Sequence, residues 1–357
     1  MANKLGVGII GCGNISEIYL TNLSKRFDSV KLIACADMLA DRSKAKAEKH
    51  GIEALSVAEM LARKDIDIIV NLTIPLVHAE VSLQAIAAGK HVYTEKPLSA
   101  WRADGKKVME AAAKKGVYVG GAPDTFLGAG IQTCKDIIAS GAIGIPHGGT
   151  ANMLCPGHEG WHPDPAFYYK KGGGPVLDMG PYYITALVEL LGPAAGVMAY
   201  QQGAFKERTV GSGPKKGEKI TVDIPTHTAG LIRFANGAVV TLSMSFDVIG
   251  SQSPRIEVWG TEASLVCPDP NTFGGPVLIR KRGEKEWTDV PVTKNWADNS
   301  RGLGVAEMAS AIMEKRKARA SGALCFHVLD VMEGLGDAAA KKAELDVSQS
   351  GKALAAK

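Results

Sequence analysis

The sequence contains six cysteines, Cys12, Cys35, Cys134, Cys155, Cys267 and Cys325, and no C-x-x-C pair or finger-like spacing among them. That absence counts against a disulfide-stapled scaffold and a structural zinc module, and fits reduced thiols in a cytoplasm. Long hydrophobic runs are missing as well. Met1 to Lys4 leads straight into an apolar stretch of about six residues, too short for a signal segment or a bilayer crossing, so a cytoplasmic protein without a membrane partner is expected. Charge of one sign is also lacking. The 41 basic and 37 acidic residues leave a net charge of +4 over 357 residues, with no block that reads as a nucleic-acid arm. The short basic run 315–319 reads as a solvated helix end. What remains, 46% hydrophobic and 22% charged residues, is that of an ordinary globular protein long enough for two domains.

The first informative stretch is Leu5 to Ile10, a continuous apolar run of the kind buried on both faces of a parallel sheet. It passes into Gly11-Cys12-Gly13-Asn14-Ile15-Ser16, a G-x-G-x-x-small turn. Gly11 permits the tight turn, and Gly13 lets the backbone approach a pyrophosphate. The small residue lets the next helix pack closely, so that Asn14 and Ile15 bring its N-terminus to the phosphates. A second apolar run, Val30 to Ala36, ends in Asp37 roughly twenty residues beyond the glycines. There a carboxylate can accept bonds from a ribose 2′-hydroxyl and repel a 2′-phosphate. The pattern favours NAD, while Arg42, five residues further on, leaves NADP open. An acid at this place can also simply cap the next helix.

The alternation continues. A helix over 41–50 is closed by Gly51, and Ser56 to Glu59 carry a capping-box pattern. A strand at 67–72 delivers Thr73 and Pro75, and His78 stands near the start of a helix ending before Gly89. A strand at 91–95 delivers Glu95 and Lys96, followed by a helix over 99–115 and a strand at 117–120. Such units predict a doubly wound parallel sheet over residues 1–122 with right-handed crossovers. Ligands of such sheets lie beyond the strand carboxyl ends. Gly11, Gly13, Asp37, Thr73, Pro75, Glu95 and Lys96 therefore share one edge. His78 is a candidate beside them, although a histidine in a first helical turn can equally cap the helix or face solvent. Glu95 is expected at the nicotinamide ribose and Lys96 at the reacting centre, where a cis Lys96-Pro97 bond would aim the lysine inward.

Residues 123–357 read as an α+β domain on a largely antiparallel open sheet. Strand-like segments fall at 147–154, 230–234, 238–246, 255–259, 264–267, 277–282 and 287–292, with Asn236-Gly237 as a hairpin signal. The uncovered face of such a sheet predicts a homodimer or homotetramer. Two stretches exceed scaffold needs. Gly157 to Pro165 is dense in rings, polar groups and prolines; Trp161, His162 and Tyr168 suit sugar or polyol contacts, while a stiff loop without ligand is the alternative. The prolines disfavour a helical H-x-x-x-H face, and no metal is expected. Gly172 to Tyr183 places Asp178 and Tyr182 four residues apart, on one side of a helix. There Asp178 can orient a ligand or merely cap, and Tyr182 can line a pocket or merely pack.

Together, the turn at 11–16, Asp37, Glu95-Lys96-Pro97 and the G-G-G-x-x-x-D-x-G at 172–180 resemble the glucose-fructose oxidoreductase and inositol dehydrogenase (Gfo/Idh/MocA) family over nearly the whole chain. The resemblance implies a Rossmann domain, a second domain whose open sheet often forms the oligomer contact, and NAD(P)-dependent hydride transfer. The substrate class would be the carbinol or ketone of a sugar, cyclitol or sugar derivative. It implies Lys96 as a catalytic residue. The expected step takes the substrate's hydroxyl proton to Tyr182 or Lys96, with Asp178 orienting the hydroxyl or Lys96. Two departures stand out. Many members carry histidine where Tyr182 stands, so the phenol would act as in the sugar oxidoreductase branch. A common arginine-rich turn after the sixth strand is replaced by Ala122-Pro123-Asp124-Thr125. Two further classes share the fold, an NAD-dependent glycoside hydrolase and a non-catalytic NAD(P)- or sugar-sensing regulator. Lys96, Asp178 and Tyr182, and the lack of a DNA-binding helix pair, count against the regulator.

Overall fold

A computed structural model describes residues 4–355, and its strands in the first third, apart from the two-residue exposed strand Glu53–Ala54, are the apolar runs of the sequence. In order these are β1 (Leu5–Ile10), α1 (Ser16–Lys25), β2 (Val30–Ala36), α2 (Ala40–His50), β3 (Glu53–Ala54), α3 (Val57–Ala62), β4 (Ile68–Asn71), α4 (His78–Ala87), β5 (His91–Thr94), α5 (Arg102–Lys115) and β6 (Val119–Gly121). The six strands pair in parallel in the order β3-β2-β1-β4-β5-β6. Every residue of β4 is buried, as expected of a strand covered on both faces. Ser56 and Glu59 do form the capping box that starts α3. Gly51, in the left-handed region at φ +65°, ends α2, where a side chain would be strained. The Lys96-Pro97 and Ala122-Pro123 bonds are both cis.

The rest of the chain builds α6 (Ala129–Ala139), β7 (Pro146–Leu154), α7 (Pro175–Leu191), β8 (Ala194–Gln202), β9 (Glu207–Thr209), β10 (Lys219–Thr221), β11 (His227–Phe234), β12 (Val239–Ser245), β13 (Ile256–Gly260), β14 (Ala263–Cys267), β15 (Val277–Lys281), β16 (Thr288–Val290), α8 (Leu303–Met313), α9 (Gly322–Lys341), β17 (Leu345–Asp346) and α10 (Ser348–Ala355). Nine strands form one sheet in the order β16-β15-β14-β13-β7-β12-β11-β8-β17. All its neighbours are antiparallel except β7 and β12, which run parallel. Asn236-Gly237 makes the β11-β12 hairpin turn. β9 and β10 form a separate small hairpin. The apolar α7 lies against β7, β11 and β12.

Two compact units result. One takes residues up to Leu127 together with Asn299–Leu329, and the other takes Gly128–Asp298 and Asp330–Lys357. The break after Leu127 falls close to the boundary read near Pro123, but α8 and the first turns of α9 return to the parallel sheet. Asp124 receives them: its Oδ2 accepts the amides of Gly302 at 2.9 Å and Gly304 at 3.0 Å. No helix among the described residues is long and apolar enough to cross a membrane.

Candidate functional site

At the carboxyl edge of the parallel sheet, Gly11 sits at φ +105°, and a Cβ there would lie 2.6 Å from the Leu72 carbonyl. Only glycine fits so tight a passage between β1 and β4. A Cβ on Gly13 would meet nothing within 4 Å, so the backbone there faces open space. Ile15, at the N-cap of α1, supplies no side-chain acceptor, and the Ser16 amide turns back to the Gly13 carbonyl at 3.1 Å, so no side chain caps this helix end. Beside them opens a cavity of about 810 Å3 lined by Cys12, Gly13, Asn14, Glu17, Arg42, Ala45 and Lys46. Asp37 ends β2, its Oδ2 accepting the Cys12 amide at 2.8 Å and its Oδ1 the Leu39 amide at 2.9 Å. The carboxylate is thus fixed in place, with lone pairs to spare on both oxygens. Glu17 pairs with Lys46 and Lys49, and the Lys46 ammonium above all holds its carboxyl down to about 2.

The ends of β4 and β5 are tied to each other. Thr73 donates its hydroxyl to Asn71 Oδ1 at 2.6 Å. His78 is neither a cap nor a surface residue. It is fully buried, with Nε2 at 2.9 Å from the Thr73 carbonyl and Nδ1 at 2.7 Å from the Pro97 carbonyl, so the ring braces the two loops. Burial pushes its pKa below the usual imidazole value. Pro75 opens a single 3-10 turn, leaving Ile74 and Leu76 more than 60% exposed at the same edge. Glu95 is buried behind Lys96, accepting the Tyr19 hydroxyl at 2.9 Å on Oε1 and the Lys96 amide at 2.8 Å on Oε2. Its carboxylate therefore fixes the backbone of the half-buried Lys96.

The second unit gathers the other predicted residues. Asp178 lies in the first turn of α7, which begins with Pro175 at N1 and carries Pro181 within it. Tyr182, one turn later, is buried. The sequence did not single out the partner of Asp178, which is His158: its Nε2 stands 3.1 Å from Asp178 Oδ2. Trp161, Tyr168 and Phe246 surround that imidazole at ring-centroid distances of 5.4, 4.3 and 4.6 Å. His162 touches Trp161 and Tyr168 at 5.4 and 5.5 Å. Trp161, His162, Tyr168 and Asp178 are therefore brought together, with His158 at the hub. The only available signal for that hub was the density of rings in 157–169. Sequence reading also missed Arg208. From β9 it donates to the carbonyls of Pro156 at 3.0 Å and Phe246 at 2.8 Å, to Glu159 at 2.7 Å and to Asp247. No group of three or more histidine, cysteine or acidic residues among those described is arranged to hold a metal.

A parallel sheet of order 3-2-1-4-5-6, with a glycine turn and an acid at its carboxyl edge, defines a dinucleotide-binding protein. Residues 5–121 match the oxidoreductase family with an NAD-binding Rossmann fold, and residues 131–266 match the GFO/IDH/MocA C-terminal domain. The chain belongs to this family and is an NAD-binding oxidoreductase. It is 26% identical to a myo-inositol 2-dehydrogenase of Thermotoga maritima over 72% of this chain and 74% of that one. It is 28% identical to a 1,5-anhydro-D-fructose reductase of Ensifer adhaerens, over 78% and 81%. A solved NAD binding oxidoreductase from Klebsiella pneumoniae shares the fold with a TM-score of 0.82 at 20% identity, covering 97% of this chain and 99% of that one.

Proposed function

We propose that the protein is an NAD-dependent dehydrogenase of a sugar, cyclitol or sugar derivative. The observation that carries this reading is the group around Asp178, where a carboxylate and an imidazole sit among the flat faces of Trp161 and Tyr168. Flat apolar faces with hydrogen-bonding rims suit a ring of hydroxyl-bearing carbons. The named relatives, an inositol dehydrogenase and an anhydrofructose reductase, support the same class.

In this reading residues 1–122 serve the dinucleotide and residues 123–357 serve the substrate and assembly. Gly11, Gly13, Asn14 and Ile15 take the pyrophosphate, a role supported by the open face of Gly13 and the uncapped first turn of α1. Asp37 takes the adenosine ribose and selects NAD, while Arg42 and Lys46, which line the cavity beside Cys12, moderate that choice. Thr73, Pro75, His78 and Glu95 shape the nicotinamide end, His78 and Glu95 by fixing the loops that carry Thr73 and Lys96. When bound, the nicotinamide accepts or returns the hydride. Lys96 acts as the catalytic residue of the first unit; in the second, Tyr182 and Asp178 serve proton transfer and orientation, and Trp161, His162 and Tyr168 hold the substrate. The outward face of the nine-stranded sheet carries Met198, Tyr200, Leu231 and Val239, each at least 39% exposed, and supports a homodimer or homotetramer through this surface. Six free thiols support a reducing, cytoplasmic setting.

The reading is checked by incubating the protein and NAD with a panel of aldoses, cyclitols and glycosides, following NADH absorbance and identifying products. Net NADH with a ketone or lactone product is expected. Aglycone release without net NADH would overturn it in favour of hydrolysis.

A further inference from the structure

Helix α2 carries Arg42, Lys46 and Lys49 at spacings of four and three residues, which puts the three cations on one side of the helix. Glu17, in the first turn of α1, takes two of them: its carboxylate pairs with Lys46 and, at 2.6 Å, with Lys49. Arg42, Lys46 and Glu17 also line the cavity beside the glycine turn, and Glu17 is the one acid in that lining. Cys12 lines it too and donates its amide to Asp37, so one hydrogen bond links Asp37 to the cavity wall.

We propose that Glu17 is a specificity-determining residue for the cofactor: it neutralises Lys46 and Lys49 and so denies a 2′-phosphate the basic face of α2. This inference rests on the reading that places the adenosine ribose at Asp37. Phosphate is the ligand that such a face would otherwise take, because guanidinium and ammonium groups hold phosphate oxygens through charge-assisted bonds. Without Glu17, the carboxylate of Asp37 would stand alone against Arg42, Lys46 and Lys49.

Glu17 carries its charge at every working pH, since Lys46 above all, and then Lys49, hold its carboxyl down to about 2. The ion pairs themselves add little to stability, because Glu17 and Lys49 are 36% and 62% exposed and water screens them. Their effect falls on a charged ligand instead: a unit charge still acts on a phosphate at roughly 8 Å, about one Debye length at physiological salt. Glu17 also repels a pyrophosphate at the N-terminus of α1. That penalty is common to NAD and NADP, and it cancels from the ratio of their affinities.

The test is calorimetric titration of the full chain with NADH and NADPH, comparing the wild type with Glu17→Gln and Glu17→Asp. Glutamine keeps the shape of the side chain and an acceptor for both lysines, so the fold is retained, which the melting transition checks. The NADPH to NADH affinity ratio should rise by roughly 5- to 30-fold in Glu17→Gln and stay within about threefold of wild type in Glu17→Asp, which keeps the charge. The gain should shrink as salt is raised, and adding Lys46→Met to Glu17→Gln should remove most of it. A mere clamp between α1 and α2 would lower the melting temperature and leave the ratio alone. An unchanged ratio in Glu17→Gln overturns the proposal, as does an equal rise in Glu17→Asp. If Asp37→Ser moves the ratio while Glu17→Gln does not, the placing of the ribose stands and the role of Glu17 alone falls; if neither moves it, the placing of the ribose falls as well.

Discussion

Replacing Asp37 by serine should reverse the cofactor preference. The carboxylate is pinned by the Cys12 and Leu39 amides, and Cys12 itself lines the cavity that Arg42 and Lys46 also line. A 2′-phosphate bound there would stand on the order of 5 Å from the carboxylate, and two unit charges at that separation repel by about 3 kcal/mol at an effective dielectric near 20. Removing the acid therefore strengthens NADPH binding by roughly 100-fold, since about 1.4 kcal/mol corresponds to tenfold. NADH loses a charge-assisted bond to its ribose, about 1.5–3 kcal/mol, and weakens by roughly 10- to 100-fold. Serine keeps an acceptor for the Cys12 amide, so the turn itself should survive. Calorimetric titration of both reduced cofactors against wild type and Asp37→Ser reads the ratio directly. An unchanged NADPH to NADH ratio, in a variant that still binds NADH, would refute the placing of the adenosine ribose at Asp37.

Other outcomes follow from the buried charges. Burial raises the Asp124 carboxyl from 3.8 to about 6, against the lowering effect of its amide bonds from Gly302 and Gly304. Between roughly pH 4 and 6 the folded state keeps a proton that the unfolded chain has shed, so this group's contribution to stability falls as pH rises through that window, by up to about 3 kcal/mol. Denaturant titrations across the window should show that slope in the wild type minus Asp124→Asn difference; equal slopes in both proteins would contradict it. Arg208→Met leaves the partly buried Glu159 and Asp247 carboxylates without their shared cation and should cost about 2–4 kcal/mol, seen by calorimetry as an earlier melt, with NADH affinity unchanged. Ile69→Ala, at a fully buried position in β4, should cost about 2–5 kcal/mol by the cavity it opens.

The parallel sheet was legible because each buried strand is a short apolar run stopped by a turn signal, and because the glycine turn has steric requirements that few other sequences meet. Gly11, Asp37, Thr73, Glu95 and Lys96 all stand where those runs end. β8 was not legible: Ala-Ala-Gly-Val-Met-Ala-Tyr-Gln-Gln lacks β-branched alternation, and its place between β11 and β17 is set by tertiary pairing. The return of α8 to the first unit depends on Asp124 accepting amides some 180 residues away, a long-range bond without local trace. Asp178 and Tyr182 were legible as a helical pair. Their setting was not, since His158 reaches Asp178 from a loop twenty residues earlier, held by Arg208 from β9. His78 shows the same limit, because its burial between two carbonyls is decided by the loops after β4 and β5.

The central claim, hydride transfer at a carbinol served by Lys96, is tested most directly by NADH formation in wild type and Lys96→Met side by side. The account predicts that NADH accumulates with at least one sugar or cyclitol, and that the variant binds NADH within about threefold of wild type. Its turnover should fall by roughly 10³-fold or more, the scale expected when a group acting at the reacting atoms is removed. Turnover in Lys96→Met equal to that of the wild type would contradict it.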